Sequence, residues 1–123
     1  RTDSPLARKG RPLTFDDLAG ETFIVNGLCA LIDDEAFRGI VGAARLSVPN
    51  TASLLGMVRA GAGVTALPRL AYLAAPEGLA FLPFGPRRFD REVSLFLPEG
   101  GGLTPVAATL AARIMTENFN KFE

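Results

Sequence analysis

The chain has 123 residues, 48% of them hydrophobic, and thirteen basic residues balance thirteen acidic ones. This length suits one domain or part of a larger one, and the apolar content excludes a disordered chain. A net charge of zero provides no overall field for nucleic acid, and no apolar run reaches the roughly 18 residues of a membrane span.

Periodicity and turn residues predict strands and helices in alternation. Strands are expected where β-branched, aromatic or aliphatic residues run together. The predicted strands cover residues 22–25, 45–48, 64–67, 79–82 and 91–97. Helices are expected behind capping residues, with apolar positions three or four apart. The predicted helices follow Thr14, cover residues 33–42, run from Asn50 or Thr51 to Gly61, cover residues 69–74, and begin at Thr104-Pro105.

This order predicts an α/β fold with a mainly parallel sheet and flanking helices. Residues 1–13 are expected to be an exposed lead-in, because they carry four basic residues among proline and glycine. Thr14 and Asp17 have the spacing of a capping box. Ligands of open α/β sheets bind at the carboxyl ends of the strands, so the residues that follow each strand are the first candidates for a site.

The residue types that are missing restrict the chemistry. The sequence has no histidine and a single cysteine, Cys29, so histidine-based catalysis, a histidine metal site and an internal disulfide are excluded. We expect Cys29 to be a small buried hydrophobe. One cysteine fits a reducing compartment and a cytoplasmic protein. No acid–base pair, nucleophile or metal site is recognisable, so we expect no enzyme and no cofactor.

Three further motifs that suggest a functional site are explained by local structure instead. Gly61 and Gly63 follow a helix and precede a strand, the reverse of a phosphate loop, so they are expected to end the helix. The acidic run over residues 33–35 is expected to favour a helix start, since consecutive helix positions do not converge on one ion. The basic cluster of Arg87, Arg88 and Arg91 is expected to be a solvated loop.

Residues 50–68 hold a capped helix, a Gly-x-Gly-hydrophobic turn and a strand that closes on Leu67-Pro68. Four further segments agree in order, namely residues 4–7, 13–24, 91–97 and 103–107. Together they resemble the effector-binding domain of LysR-type transcriptional regulators, although Ser4 stands where that family's pattern has histidine. The resemblance covers almost the whole chain.

The resemblance implies a fold similar to type 2 periplasmic binding proteins, in which two α/β subdomains flank a cleft. Residues 1–90 would form the second subdomain, and residues 91–123 the return hinge strand and C-terminal helix of the first. Because the chain begins with Arg1, we expect a piece of a longer protein. Contact with DNA would need a helix-turn-helix domain that this chain lacks. The family also implies a homodimer or higher oligomer, and no membrane partner.

Asn50, Thr51 and Ser53 are the strongest candidates for effector contact. They lie at a strand end and a helix N-terminus, where free N–H groups, short hydroxyls and the helix dipole favour an anion. Plain helix capping explains the same residues. Asn26 follows the first strand on the same edge, with a simple turn as its alternative. Thr65 would direct a hydroxyl into the cleft and Pro68 would form an apolar wall; core packing is the alternative for both.

Two hypotheses remain. The first is a ligand-sensing regulatory domain of a LysR-type regulator, which binds a small polar or anionic metabolite between its subdomains. The second is a solute-binding protein of a transport system with the same fold. The sequence upstream of Arg1 separates them, because a helix-turn-helix supports the first and an export leader supports the second.

Overall fold

The computed structural model describes residues 1–85, 89, 94–100 and 102–117. Residues 1–90 and 91–123 form two compact units. Two 3-10 turns cover Ala7–Lys9 and Cys29–Leu31. The remaining elements, in chain order, are α1 (Phe15–Leu18), β1 (Ile24–Val25), α2 (Glu35–Ala43), β2 (Leu46–Ser47), α3 (Thr51–Arg59), α4 (Arg69–Leu73) and α5 (Pro105–Thr116).

β1 lies in the centre of a small parallel sheet. It pairs with β2, with Ile24 opposite Leu46. On its other side, the Ile24 N–H donates to the Val64 carbonyl at 2.8 Å, and the Val64 N–H donates to the Thr22 carbonyl at 2.9 Å. α2 connects β1 to β2 and α3 connects β2 to Val64. The predicted α/β alternation with parallel strands is therefore confirmed for this unit.

The alternation of side chains along β1 divides the core into two clusters. Phe23 and Val25 pack in one cluster with Phe37 of α2, and Ile24 packs in the other with Leu54 of α3. Successive side chains of a strand point to opposite faces. Helices α2 and α3 consequently cover opposite faces of the sheet.

Three predicted strands are wrong or only partly described. Of residues 64–67, only Val64 pairs, with Phe23. Residues 79–82 form no strand. The backbone pairing with Leu13 involves the residues that follow them, since the Leu13 N–H donates to the Pro83 carbonyl at 2.8 Å. In the segment 91–97, residues 91–93 lie outside the described residues, and residues 94–97 are exposed without strand structure.

Most of residues 1–13 are exposed, as the sequence analysis expected of this lead-in, but two leucines are not. Leu6 and Leu13 are only 6% and 5% exposed and belong to the first core cluster. Lys9 and Arg11 both bind the Asp17 carboxylate, at 2.8 Å and 2.7 Å. These cations lower the pKa of Asp17, Arg11 most strongly. Lys9 and Arg11, which remain exposed, therefore join this segment to the capping box of α1.

The Gly-x-Gly turn lets the chain return to the sheet after α3. Gly61 has φ +85°, and its N–H donates to Val58 while the Ala62 N–H donates to Met57, the pattern of a Schellman helix end. A Cβ on Gly63 would lie 2.1 Å from the Thr22 carbonyl oxygen. The prediction that these glycines end a helix is confirmed.

In the second unit, Thr104 is the N-cap of α5, and its hydroxyl accepts a hydrogen bond from the Ala107 N–H at 3.3 Å. Val106 and Leu110 are exposed in the single chain, whereas Ala111 is buried. The assignment of residues 1–90 and 91–123 to two subdomains stays a prediction. No helix within the described ranges is long and apolar enough to cross a membrane.

Candidate functional site

Three parallel segments end beside one another, and candidate residues follow each end. Asn26 comes directly after β1, and Thr65 directly after the paired Val64. Asn50 follows β2 by three residues, just beyond the last backbone bond of that strand pair, from the Val48 N–H to the Val25 carbonyl at 2.8 Å. Since parallel strands run in one direction, these residues lie at the carboxyl edge of the sheet, where open α/β sheets bind ligands.

Asn50 is the N-cap of α3. Its side-chain oxygen accepts a hydrogen bond from the Ser53 N–H at 3.0 Å, and its carbonyl accepts one from the Leu54 N–H at 2.9 Å. The capping explanation of Asn50 is therefore confirmed. It does not exclude ligand contact, because a cap satisfies only one of the open N–H groups at a helix start.

The first turn of α3 keeps free hydrogen-bond donors. Among the residues that the structure describes, the N–H groups of Thr51 and Ala52 have no partner, and both residues are exposed. The exposed hydroxyl of Ser53 lies on the same turn. This turn contains no acidic residue, whereas α1 has Asp16 and Asp17 in its first turn. The positive end of the α3 dipole is therefore not neutralised by its own sequence.

Asn26 and Thr65 are joined by hydrogen bonds. The Asn26 amide nitrogen donates to the Thr65 hydroxyl at 3.0 Å and to the Ala66 carbonyl at 2.9 Å. Its amide oxygen accepts from the Leu28 N–H at 2.8 Å, and the Thr65 hydroxyl donates to the Ile24 carbonyl at 2.7 Å. Asn26 is 5% exposed. Both residues therefore use all their side-chain donor hydrogens within the protein.

Pro68 is half-buried and immediately precedes α4, where its carbonyl accepts a hydrogen bond from the Ala71 N–H at 3.0 Å. The structure thus groups the candidates in two sets. Asn50, Thr51 and Ser53 share one helical turn, and Asn26 and Thr65 share a hydrogen bond. Pro68 follows Thr65 by three residues along the chain.

Cys29 is 3% exposed, and burial raises the pKa of its thiol. Such a thiol is a poor nucleophile, because the thiolate is the reactive form. The acidic run also has a structural role: the Asp34 carboxylate caps α2 by accepting from the Phe37 N–H at 3.1 Å, and Asp33 pairs with Arg38 at 3.3 Å. Within the described part of the chain, no group of acidic or cysteine residues is arranged to hold a metal ion.

Two surface depressions occur elsewhere on the first unit. One, of about 230 Å³, is lined by Arg1, Ser4 and Gly63, and another, of about 450 Å³, by Cys29, Ile32 and Arg38. Neither is lined by Asn50, Thr51 or Ser53. Arg87, Arg88 and Arg91, the predicted basic cluster, lie outside the described residues.

Sequence reasoning missed the partners that complete the Asn26 network. The Leu28 N–H and the Ala66 carbonyl carry no side-chain pattern that would reveal them. The only available indication was the Asn26-Gly27 pair after a strand, which also suits an ordinary turn.

The model of one protein family, described as the LysR substrate binding domain, matches residues 1–118. Searches of curated proteins and of solved structures gave no significant match. The match covers nearly the whole chain and includes all three carboxyl-edge segments. This chain belongs to the LysR substrate binding domain family.

Proposed function

We propose that this chain senses a small polar or anionic metabolite for a LysR-type regulator, and that the metabolite binds at the carboxyl edge beside the N-terminus of α3. Family membership supports a ligand-sensing regulatory role, since domains of this family belong to regulators rather than enzymes. The observation that carries the site is the first turn of α3, where the N–H groups of Thr51 and Ala52 are open.

The chemistry of this turn favours an acceptor group on the ligand. Two neighbouring N–H groups and the hydroxyls of Thr51 and Ser53 supply donors, and the helix dipole adds positive potential. A carboxylate satisfies several such donors at once, and hydrogen bonds to an ionised acceptor are stronger than those between neutral groups. Pro68 adds an apolar surface to the proposed site, and Asn26 and Thr65 complete its edge.

Binding acts as a signal only if it favours one arrangement of the regulator over another. We infer that the metabolite lies between two subdomains, that it changes their relative arrangement, and that DNA is bound through a separate helix-turn-helix domain. A homodimer or higher oligomer in the cytoplasm is part of the same proposal. The alternative is a solute-binding protein of a transport system with the same fold, which would use the same edge.

A nuclear magnetic resonance titration tests the site. The probes are sodium succinate, sodium benzoate and sodium phosphate, with succinamide as an uncharged analogue of succinate. We expect at least one anion to shift the amide resonances of Thr51 and Ala52, and succinamide to shift them less. If no probe moves these two resonances, or if the shifts centre on another region, the proposed site is wrong.

Two variants isolate the charge. Asn50→Asp keeps the cap, since aspartate and asparagine cap helices about equally well, but adds a negative charge beside the two N–H groups. We expect it to weaken anion binding without loss of stability. Asp34→Asn at the cap of α2 is the control: it makes the reverse substitution, with a charge change of equal size and opposite sign, at a helix start outside the proposed site, and it should leave the affinity unchanged. An unchanged affinity in Asn50→Asp, or a change in Asp34→Asn as large as that in Asn50→Asp, would contradict the proposal.

A further inference from the structure

We propose that Asn26 and Thr65 are positioning residues of the carboxyl edge, which act on the effector through the backbone that they hold and not by touching it. This inference rests on the proposed function for the location of the effector. It assigns a separate role to two of the residues that the sequence suggested as effector contacts.

The hydrogen bonds show which interaction the two side chains replace. After the hydrogen bond from the Ile24 N–H to the Val64 carbonyl, a regular parallel ladder would continue with the Ile24 carbonyl accepting from the N–H of residue 66. Instead, the Thr65 hydroxyl donates to the Ile24 carbonyl at 2.7 Å, and the Asn26 amide donates to the Ala66 carbonyl at 2.9 Å. Side chains therefore continue the ladder where the backbone strand ends.

The same asparagine also fixes the turn that follows β1. Its amide oxygen accepts from the Leu28 N–H, and its backbone carbonyl accepts from the Cys29 N–H at 3.1 Å. The neighbours determine the orientation of the amide, since Leu28 offers a donor and Ala66 an acceptor. One buried side chain thus ties together the turn over residues 26–29 and the segment that leads to Pro68.

Direct contact with an effector would break this network. Both hydrogens of the Asn26 amide and the hydroxyl hydrogen of Thr65 are already donated to protein acceptors. Diverting one of them to a ligand leaves a carbonyl such as that of Ala66, itself 5% exposed, without its partner. An unsatisfied buried acceptor is costly, so the open N–H groups of α3 are the better donors to an effector.

Hydrogen exchange provides a test that needs no ligand. In Thr65→Val, which keeps the shape but removes the hydroxyl, we expect the Leu28 amide to exchange roughly tenfold faster than in the unchanged protein, because the network that holds its acceptor is broken. Thr65→Ser keeps the hydroxyl and should restore slow exchange. Unchanged exchange in Thr65→Val would overturn the proposal.

A second experiment measures affinity for whichever of succinate, benzoate or phosphate binds most tightly to the unchanged protein. We expect Thr65→Val to weaken its affinity roughly tenfold and Thr65→Ser to restore it. Val58→Ala, a core variant at the far end of α3, controls for general destabilisation and should retain affinity. In the unchanged protein, saturating probe should leave the Asn26 side-chain amide resonances in place while those of Thr51 and Ala52 move.

The outcomes separate the two proposals. If the Asn26 side-chain resonances shift with the probe as far as those of α3, then Asn26 contacts the ligand and the positioning role is wrong. Equal loss of affinity in Val58→Ala and Thr65→Val would also overturn it. If no probe binds at α3, the proposed function fails, and the exchange rates alone decide whether the pair holds the edge.

Discussion

Replacing Gly63 with alanine tests whether the chain needs a residue without a side chain where it returns to the sheet. A Cβ there would lie 2.1 Å from the Thr22 carbonyl oxygen and 3.2 Å from the Ile24 side chain. The oxygen belongs to the backbone and accepts the Val64 N–H, so it cannot move without loss of the pairing. Loss of the two backbone hydrogen bonds that Val64 makes, with Thr22 and with Ile24, and the steric strain together should lower the free energy of unfolding by roughly 2–5 kcal/mol.

Gly56→Ala is the matched control, because it makes the same chemical change in the middle of α3. Nothing lies within 4 Å of a Cβ built on Gly56, and its backbone is helical. Alanine is favoured over glycine in a helix interior by about 0.5–1 kcal/mol, so this variant should be more stable than the unchanged protein. The two substitutions should therefore change stability in opposite directions.

Urea unfolding measured by tyrosine fluorescence suits this comparison. The sequence contains one tyrosine and no tryptophan, and Tyr72 lies in the first unit, stacked on Phe81 with ring centroids 5.4 Å apart. The signal therefore reports on the unit that holds both glycines. A Gly63→Ala protein as stable as the unchanged one, or stabilised like Gly56→Ala, would refute the close-approach argument.

Two further substitutions test the core and the charge cluster. Phe37→Ala should lower the unfolding free energy by about 3–5 kcal/mol, because the fully buried ring contacts Phe15, Phe23 and Phe84. If the same urea assay gives a smaller loss than the replacement of an exposed phenylalanine by alanine, this expectation is wrong. The pKa of Asp17 is lowered in the folded protein, so its contribution is complete above the unfolded value of about 3.9 and is lost as the pH falls below it. Asp17→Asn should therefore reduce the dependence of the urea midpoint on pH in that acid range, and an unaltered dependence would show that Arg11 does not stabilise the fold through this carboxylate.

The helix starts could be predicted because capping is a local interaction. Thr14, Asn50 and Thr104 each accept a hydrogen bond from a backbone N–H three residues later, within one turn of chain. The helix end at Gly61 is local in the same way. For these elements, the residue types within four positions contain most of the relevant physics.

The buried roles of Leu6 and Asn26 could not be predicted, because they depend on distant segments. The Asn26 amide and the Thr65 hydroxyl are 39 positions apart in the chain, and only the parallel pairing of Val64 with β1 brings them together. The Leu6 side chain is buried by a core assembled from later segments. Local composition at the N-terminus was dominated by basic residues, whose bonds to Asp17 were not apparent from sequence spacing.

The strand predicted over residues 64–67 ends early, at Val64, and the residues that end it belong to the proposed site. A continuous backbone ladder would have paired Ala66 with the end of β1 and left the side chains of Asn26 and Thr65 without their present partners. After Val64, side-chain hydrogen bonds replace the backbone bonds of the ladder, so segment 65–68 can leave the sheet toward α4. The buried Ala66 carbonyl keeps a hydrogen-bond partner, the Asn26 amide. Continued backbone pairing would have required a longer strand at the carboxyl edge, where we propose that the effector binds. Asn26 and Thr65, the polar residues that interrupt the strand pattern, therefore end the backbone ladder beside the proposed effector site.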